Sequence, residues 1–246
     1  MVAPDLRGYN DTDKPSRGYD VPTLLRDIVG LIKGLGYEKA IIIGHDWGGA
    51  LAWFFAITYP QLTERLVVLN APHPDAMQRE LKTWKQLRKS WYIFALQIPW
   101  LPEYLLGRNH ATLIAQIIHR VAFQKAAFPT EVLDHYREAI QKPGALHASI
   151  NYYHSLFRSS LSPASAKKVD KQIIAPTLLI WGEQDVVLNI ELTKDLEQWV
   201  PNILVKRIPD TAWWSYDGVM KMRYDHWLAL WLVISKNKAT SSTIPD

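Results

Sequence analysis

Apolar positions change their period several times along the chain, and each change marks an element. Over residues 24–35 they fall at Leu24, Leu25, Ile28, Val29, Leu31 and Ile32, the three-and-four spacing of a helix, which Gly34 and Gly36 bring to an end. Ala40-Ile41-Ile42-Ile43 is continuously apolar, which predicts a strand buried on both faces of a parallel sheet. After a glycine-rich stretch, Ala50-Leu51-Ala52-Trp53-Phe54-Phe55-Ala56 predicts a helix packed on that sheet, and residues 65–70 predict a second buried strand. From about residue 74 to 166 the texture is helical and rich in aromatic residues, with no strong strand signal. Alternation then resumes, predicting a strand at 176–181, a helix at 191–200, a strand at 203–208 and a last helix near 220–235.

This order is a parallel α/β core interrupted by helices. Residues 1–74 and 171–246 form the core, and 75–170 form an inserted helical cap. An insertion after a strand of such a sheet sits over the carboxyl ends of the strands, where α/β proteins bind ligands, so the insertion reads as a lid. A chain of 246 residues with 48% hydrophobic content can bury a full core. The net charge of +4 is scattered among both signs with no helix-turn-helix, zinc-finger or RNP-like pattern, so no nucleic-acid partner is expected. No apolar stretch reaches the roughly 20 residues of a membrane span. Without cysteine there is neither a disulfide framework nor a thiolate metal site; a reducing, cytoplasmic setting is the expectation. No H-E-x-x-H, G-x-G-x-x-G or P-loop pattern occurs, so no metal and no cofactor are expected.

The candidate chemistry lies between the first strand and its helix. Gly44-His45-Asp46-Trp47-Gly48-Gly49 has the G-x-Nu-x-G form of a nucleophile elbow, a strand-to-helix turn that lifts one side chain clear of the sheet and leaves the next backbone N–H free as an oxyanion donor. Asp46 occupies the position where serine is usual. A carboxylate there can displace a leaving group from a saturated carbon and form an alkyl ester, chemistry suited to epoxides and haloalkanes. The competing reading of Asp46 is a helix cap. Asp185 follows the strand at 176–181 through a Gly-x-x-Asp turn and is either a second acid or a turn residue.

These motifs resemble the α/β-hydrolase superfamily and, within it, the epoxide hydrolase branch. Val2-Ala3-Pro4-Asp5-Leu6-Arg7-Gly8-Tyr9 with Asp13-Lys14-Pro15 resembles the segment before the elbow. Asn70-Ala71-Pro72-His73-Pro74 resembles the exit into the cap, Asn151-Tyr152-Tyr153 the cap tyrosine, and the run from Pro176 to Asp185 the acid-bearing strand end. The resemblance implies Asp46 as nucleophile, Asp185 as the acid that orients a histidine, and Tyr153 as the donor to the epoxide oxygen. Trp47 and Tyr152 are further candidates for oxyanion or substrate binding. Trp47 also has a counterpart in haloalkane dehalogenases, whereas Tyr153 favours an epoxide. The partner implied is a small hydrophobic epoxide or haloalkane-like substrate, with water as cosubstrate.

Three departures qualify this. No His-Gly-x-Pro motif occurs, and the family's earlier strands would take roughly 50 to 80 residues before Met1, so an N-terminal truncation is expected, leaving one edge of the strand at Ala40 to Ile43 unpaired. Trp213 stands where the family has its catalytic histidine, and an indole N–H has no basicity. Of the eight histidines, His73 near a strand end and His226 on the final helix are the candidates to substitute for it. The family's second cap tyrosine aligns with Ala95, with Tyr92 three residues earlier. The alternatives are a haloalkane dehalogenase-like enzyme, a catalytically dead homologue that binds a hydrophobic ligand or partner through the cap, and a chain that does not fold stably.

Overall fold

The computed structural model describes residues 2–161, 172–212 and the strand 232–235. Asp20 starts helix α1 (Val21–Gly34): its side chain accepts from the Thr23 N–H, and Pro22 sits in the first turn, where no intrahelical partner is lost. Leu24, Leu25, Ile28 and Ile32 form its buried face. Strand β1 (Ala40–His45) runs into α2 (Trp47–Thr58), whose residues are apolar nearly all round because it lies between the sheet and α1. The Trp53 ring is wholly buried, and its indole N–H donates to the Ala71 carbonyl at 2.9 Å. Strand β2 (Thr63–Leu69) follows and pairs parallel with β1.

Helices α3 (Pro74–Glu80), α4 (Trp84–Lys89), α5 (Trp91–Ala95), α6 (Leu101–Val121), α7 (Thr130–Gln141) and α8 (Ala145–Ser160) come next, with no strand among them. The chain then returns to the sheet as β3 (Thr177–Gly182) and β4 (Ile203–Ile208), both parallel to their neighbours. The sheet order is β4-β3-β2-β1-β5, where β5 is Leu232–Ser235. A small satellite core within the insertion joins Ile118, Ala122, Phe128 and Tyr136.

Three expectations change. The outer edge of β1 is not unpaired: β5 lies antiparallel along it, with Ile41 opposite Ser235 and Gly44 opposite Leu232. Backbone groups of a buried strand must find partners, and a late segment of the chain supplies them. The same four residues are therefore strand, not the end of a helix; 220–231 lie outside the described residues. The helix expected at 191–200 is a short 3-10 turn, Ile190–Thr193, followed by turns, because Asp195 adopts a left-handed φ of 55° that an α-helix cannot continue through. Leu192, Leu196 and Val200 are each 0% exposed, so the four-residue apolar spacing reported burial correctly and the element incorrectly.

Gly44 is the residue on which the turn from β1 into α2 depends. A Cβ there would lie 2.2 Å from the Gly48 carbonyl oxygen and 2.7 Å from the Gly49 nitrogen, both backbone atoms that no rotamer change can move. Gly44→Ala is expected to lose about 3 kcal/mol or more of stability in urea unfolding. Gly30, exposed in the middle of α1 with nothing within 4 Å of its would-be Cβ, makes the opposite case. Gly30→Ala is expected to gain about 0.5–1 kcal/mol in the same measurement.

Candidate active site

Asp46 sits at the turn with φ 52° and ψ −122°, a conformation that L-residues seldom adopt. Its carboxylate accepts from the Trp47 backbone N–H at 2.5 Å, the donor expected to face a developing oxyanion. Three phenols sense the charge of Asp46: Tyr153 on α8, Tyr92 on α5 and Tyr9 near the start of the chain. Burial raises each well above the usual phenol range, and the negative charge on Asp46 pushes each further up. All three are protonated donors at neutral pH.

Tyr153 is held against Trp47, ring centroids 5.0 Å apart at 84°, and the closeness of the Trp47 side chain works against the rise in its pKa. Tyr92 packs edge-on against Tyr153 at 6.0 Å, and the Gln97 amide ties this region to α8 by donating to the Tyr153 carbonyl at 3.4 Å. Tyr152, its neighbour in sequence, points the other way. Its hydroxyl donates to the Arg7 carbonyl at 2.7 Å and its ring meets Tyr9, Tyr19 and Trp47. Successive residues of a helix lie about 100° apart, so a pair of tyrosines there splits its duties.

Asp185 is buried just beyond β3. One carboxylate oxygen accepts from the backbone N–H groups of Val187 and Leu188 at 2.8 and 2.7 Å, and the other from the Asn70 amide at 2.7 Å. Burial raises its pKa, opposed first by the Leu188 N–H, then by Asn70, Val187 and the charge of Lys89. Asn70, at the end of β2 with φ 38° and no exposed surface, uses both ends of its amide: its oxygen accepts from the Gly182 N–H at 2.8 Å. One side chain thus bridges the carboxyl ends of β2 and β3 and aims the acid.

His73 caps α3, its Nδ1 accepting from the Asp75 N–H at 3.3 Å, and its ring is stacked on Trp199 at 5.1 Å and edge-on to Trp53 at 5.2 Å. Burial pushes it down to about 4. These contacts pack the ring as a neutral residue, while its buried Nε2 has no hydrogen-bond partner among the described residues. Trp213 and His226 lie outside the described residues. Sequence reasoning left Tyr92 and Tyr9 out of the candidate set. Tyr92 lies one helical turn before Ala95, a displacement that a residue-for-residue alignment does not absorb; nothing local distinguishes Tyr9 from a core aromatic.

A family model described as the alpha/beta hydrolase fold matches residues 1–217. The AB hydrolase superfamily protein YfhM of Bacillus subtilis is 39% identical over 217 residues, covering 87% of this chain and 74% of that protein. Human epoxide hydrolase 4 is 36% identical over 209 residues, covering 82% of this chain but 56% of its own length. The chain therefore spans little more than half of that curated relative. The crystal structure of a Bacillus megaterium epoxide hydrolase in complex with an inhibitor matches with a TM-score of 0.78 at 28% identity, covering 86% of this chain and 76% of that one.

The buried imidazole predicts a pH dependence. An unfolded histidine titrates near 6.5, whereas His73 in the fold titrates at about 4, so between those values the unfolded chain holds the extra proton. Its contribution is fully present above about pH 6.5 and falls as the pH drops toward about 4, by on the order of 3 kcal/mol in all. Urea unfolding of wild type and His73→Phe from pH 7.5 to 4 tests this, with pH values of about that range chosen to bracket both titrations. Wild type should lose stability relative to His73→Phe as the pH falls; a constant difference would mean that His73 titrates normally.

Proposed function

The chain belongs to the alpha/beta hydrolase fold family, in its epoxide hydrolase branch, and from that premise we propose that it opens an epoxide by attack of Asp46. The observation that carries the reading is the placement of Asp46: a carboxylate at a positive φ on a glycine-flanked turn, its charge felt by buried, protonated phenols. In the first step a carboxylate oxygen of Asp46 attacks a ring carbon from the side opposite the C–O bond. That bond breaks, its electron pair goes to the oxygen, and Tyr153 donates its proton there as charge develops. The product is a hydroxyalkyl ester of Asp46. The Trp47 backbone N–H, already on the Asp46 oxygen, stays with the ester carbonyl and supplies half of an oxyanion hole for its later hydrolysis.

Tyr92 is the second phenol of the site and steadies the same oxygen from α5 or holds Tyr153 in place. The helices from α3 to α8 act as the cap that brings both phenols over the nucleophile. The buried, protonated phenols beside Asp46 favour an epoxide over a halide leaving group, because a departing alkoxide takes up a proton and a halide does not. Asp185, held by Asn70 and two backbone N–H groups, is the acid that would orient a base for the second step.

The second step needs water activated by a base, and the chain places Trp213 where its family resemblance calls for histidine. The proposal is therefore that ester formation outruns its hydrolysis and the alkylated protein accumulates. Incubation with excess styrene oxide followed by intact-mass measurement should give one added epoxide mass on wild type and none on Asp46→Asn. Tyr153→Phe should slow adduct formation by on the order of a hundredfold. Equal labelling of wild type and Asp46→Asn rejects Asp46 as nucleophile, and diol released in many-fold excess over protein rejects accumulation.

A further inference from the structure

The outward side of the insertion carries a second feature that the chemistry at Asp46 does not use. Helix α4 is fastened inward by Gln86, whose amide donates to the Val187 carbonyl at 3.1 Å and accepts from the Asn189 N–H at 2.9 Å, and by the buried Ser90 at its end. This fixes which side of α4 and α5 faces out. In and beside these helices Trp84 is 74% exposed, Trp91 66% and Trp100 73%, with Phe94 and Ile98 between the last two also exposed. Scattered apolar side chains on a surface are ordinary, but three tryptophans largely in water within a short segment are not.

Along this stretch the exposed charges have one sign, although Glu191 of the neighbouring 3-10 turn lies near enough to Lys85 to feel its charge. Lys82, Lys85, Arg88 and Arg108 are exposed, and no exposed acidic residue lies between residues 82 and 108; Glu103, the one carboxylate there, is partly buried and paired with His147. Arg108 lies over the Tyr104 ring at 5.1 Å, its stem along apolar surface. We propose that α4, α5 and the turn into α6 form a docking surface for an anionic lipid bilayer, on which the protein lies without crossing it.

Trp with Lys and Arg is the chemistry of the membrane interface: indoles settle at the headgroup level, and cations meet anionic headgroups. A protein partner fits less well, because lysine is depleted at protein interfaces whereas Lys82 and Lys85 flank Trp84 here. Among the described residues no helix is long and apolar enough to cross a membrane, which agrees with attachment to the surface. Apolar substrates partition into bilayers, so such docking would bring the helices above Asp46 to where those compounds concentrate.

The test is flotation of the full chain with phosphatidylglycerol/phosphatidylcholine vesicles and with phosphatidylcholine vesicles alone. With 11 tryptophans, intrinsic fluorescence would not report this patch, so bound protein is measured directly. Wild type should float with the anionic vesicles, weaken as salt is raised, and bind neutral ones poorly. Lys82→Glu/Lys85→Glu/Arg88→Glu should lose on the order of a hundredfold or more in partition coefficient, since each cation near an anionic surface counts for about fivefold. Trp84→Ser/Trp91→Ser/Trp100→Ser should lose at least about tenfold. Either variant suffices if the other fails to fold cooperatively. Equal partition onto the two vesicle types, unchanged binding by both variants, or a wild type that ignores vesicles but forms a dimer abolished by the tryptophan changes would overturn the proposal. None of these readouts involves Asp46 chemistry, so this inference and the proposed reaction fail independently.

Discussion

The backbone of Gly44 comes so close to that of Gly48 that no side chain fits between them, and the rest of the site follows from that approach. A strand that must reverse into a helix within a few residues brings its last peptides onto the first turn of the helix. Only a residue without Cβ allows it. The residue at the apex is then forced to positive φ, and here that residue is Asp46. The strain is sustained by what surrounds it: β1 is paired on both sides, by β2 and β5, and α2 is buried against sheet and α1. Strain of this kind, on the order of 1–3 kcal/mol, persists only where the neighbouring structure over-determines it.

A second constraint acts at the far side of the site. Asn70 satisfies the Gly182 N–H and the Asp185 carboxylate together, which couples the ends of two parallel strands through one buried amide. An Asp185 carboxylate left without such donors would be costly to bury. Three donors make it affordable and leave its direction fixed. The acid is thus part of the packing of the sheet as well as a candidate for catalysis, and a sequence cannot separate those roles because both need the same residue at the same place.

Much of the core was legible because its signals are local. The unbroken apolar run of β1, the three-and-four spacing in α1, and the Gly-x-x-Asp turn after β3 each state their element without reference to distant residues. The misreadings share a cause. Leu192, Leu196 and Val200 repeat like one face of a helix, yet a single left-handed residue, Asp195, turns the backbone while leaving all three buried. Residues 232–235 become strand because β1 requires a partner, a demand made by residues far away in sequence. At the site the elbow and Tyr153 were visible as motif and resemblance. The contributions of Tyr9 and Tyr92 were not, since they depend on three separate segments converging on one carboxylate.

The division of labour between Tyr152 and Tyr153 also explains how the helices above the sheet can be positioned without using up the Tyr153 phenol. Tyr152 anchors α8 to the segment before the elbow through the Arg7 carbonyl, a bond that consumes its only proton. Tyr153 is oriented instead by the packing of its ring, edge-on to Trp47 and to Tyr92, and that contact does not consume its proton. A phenol held by the packing of its ring is preorganised for a charge that appears only in a transition state. The same indole follows Asp46 in sequence, so the Asp46 carboxylate and the Tyr153 ring are set relative to one another by adjacent residues of one turn.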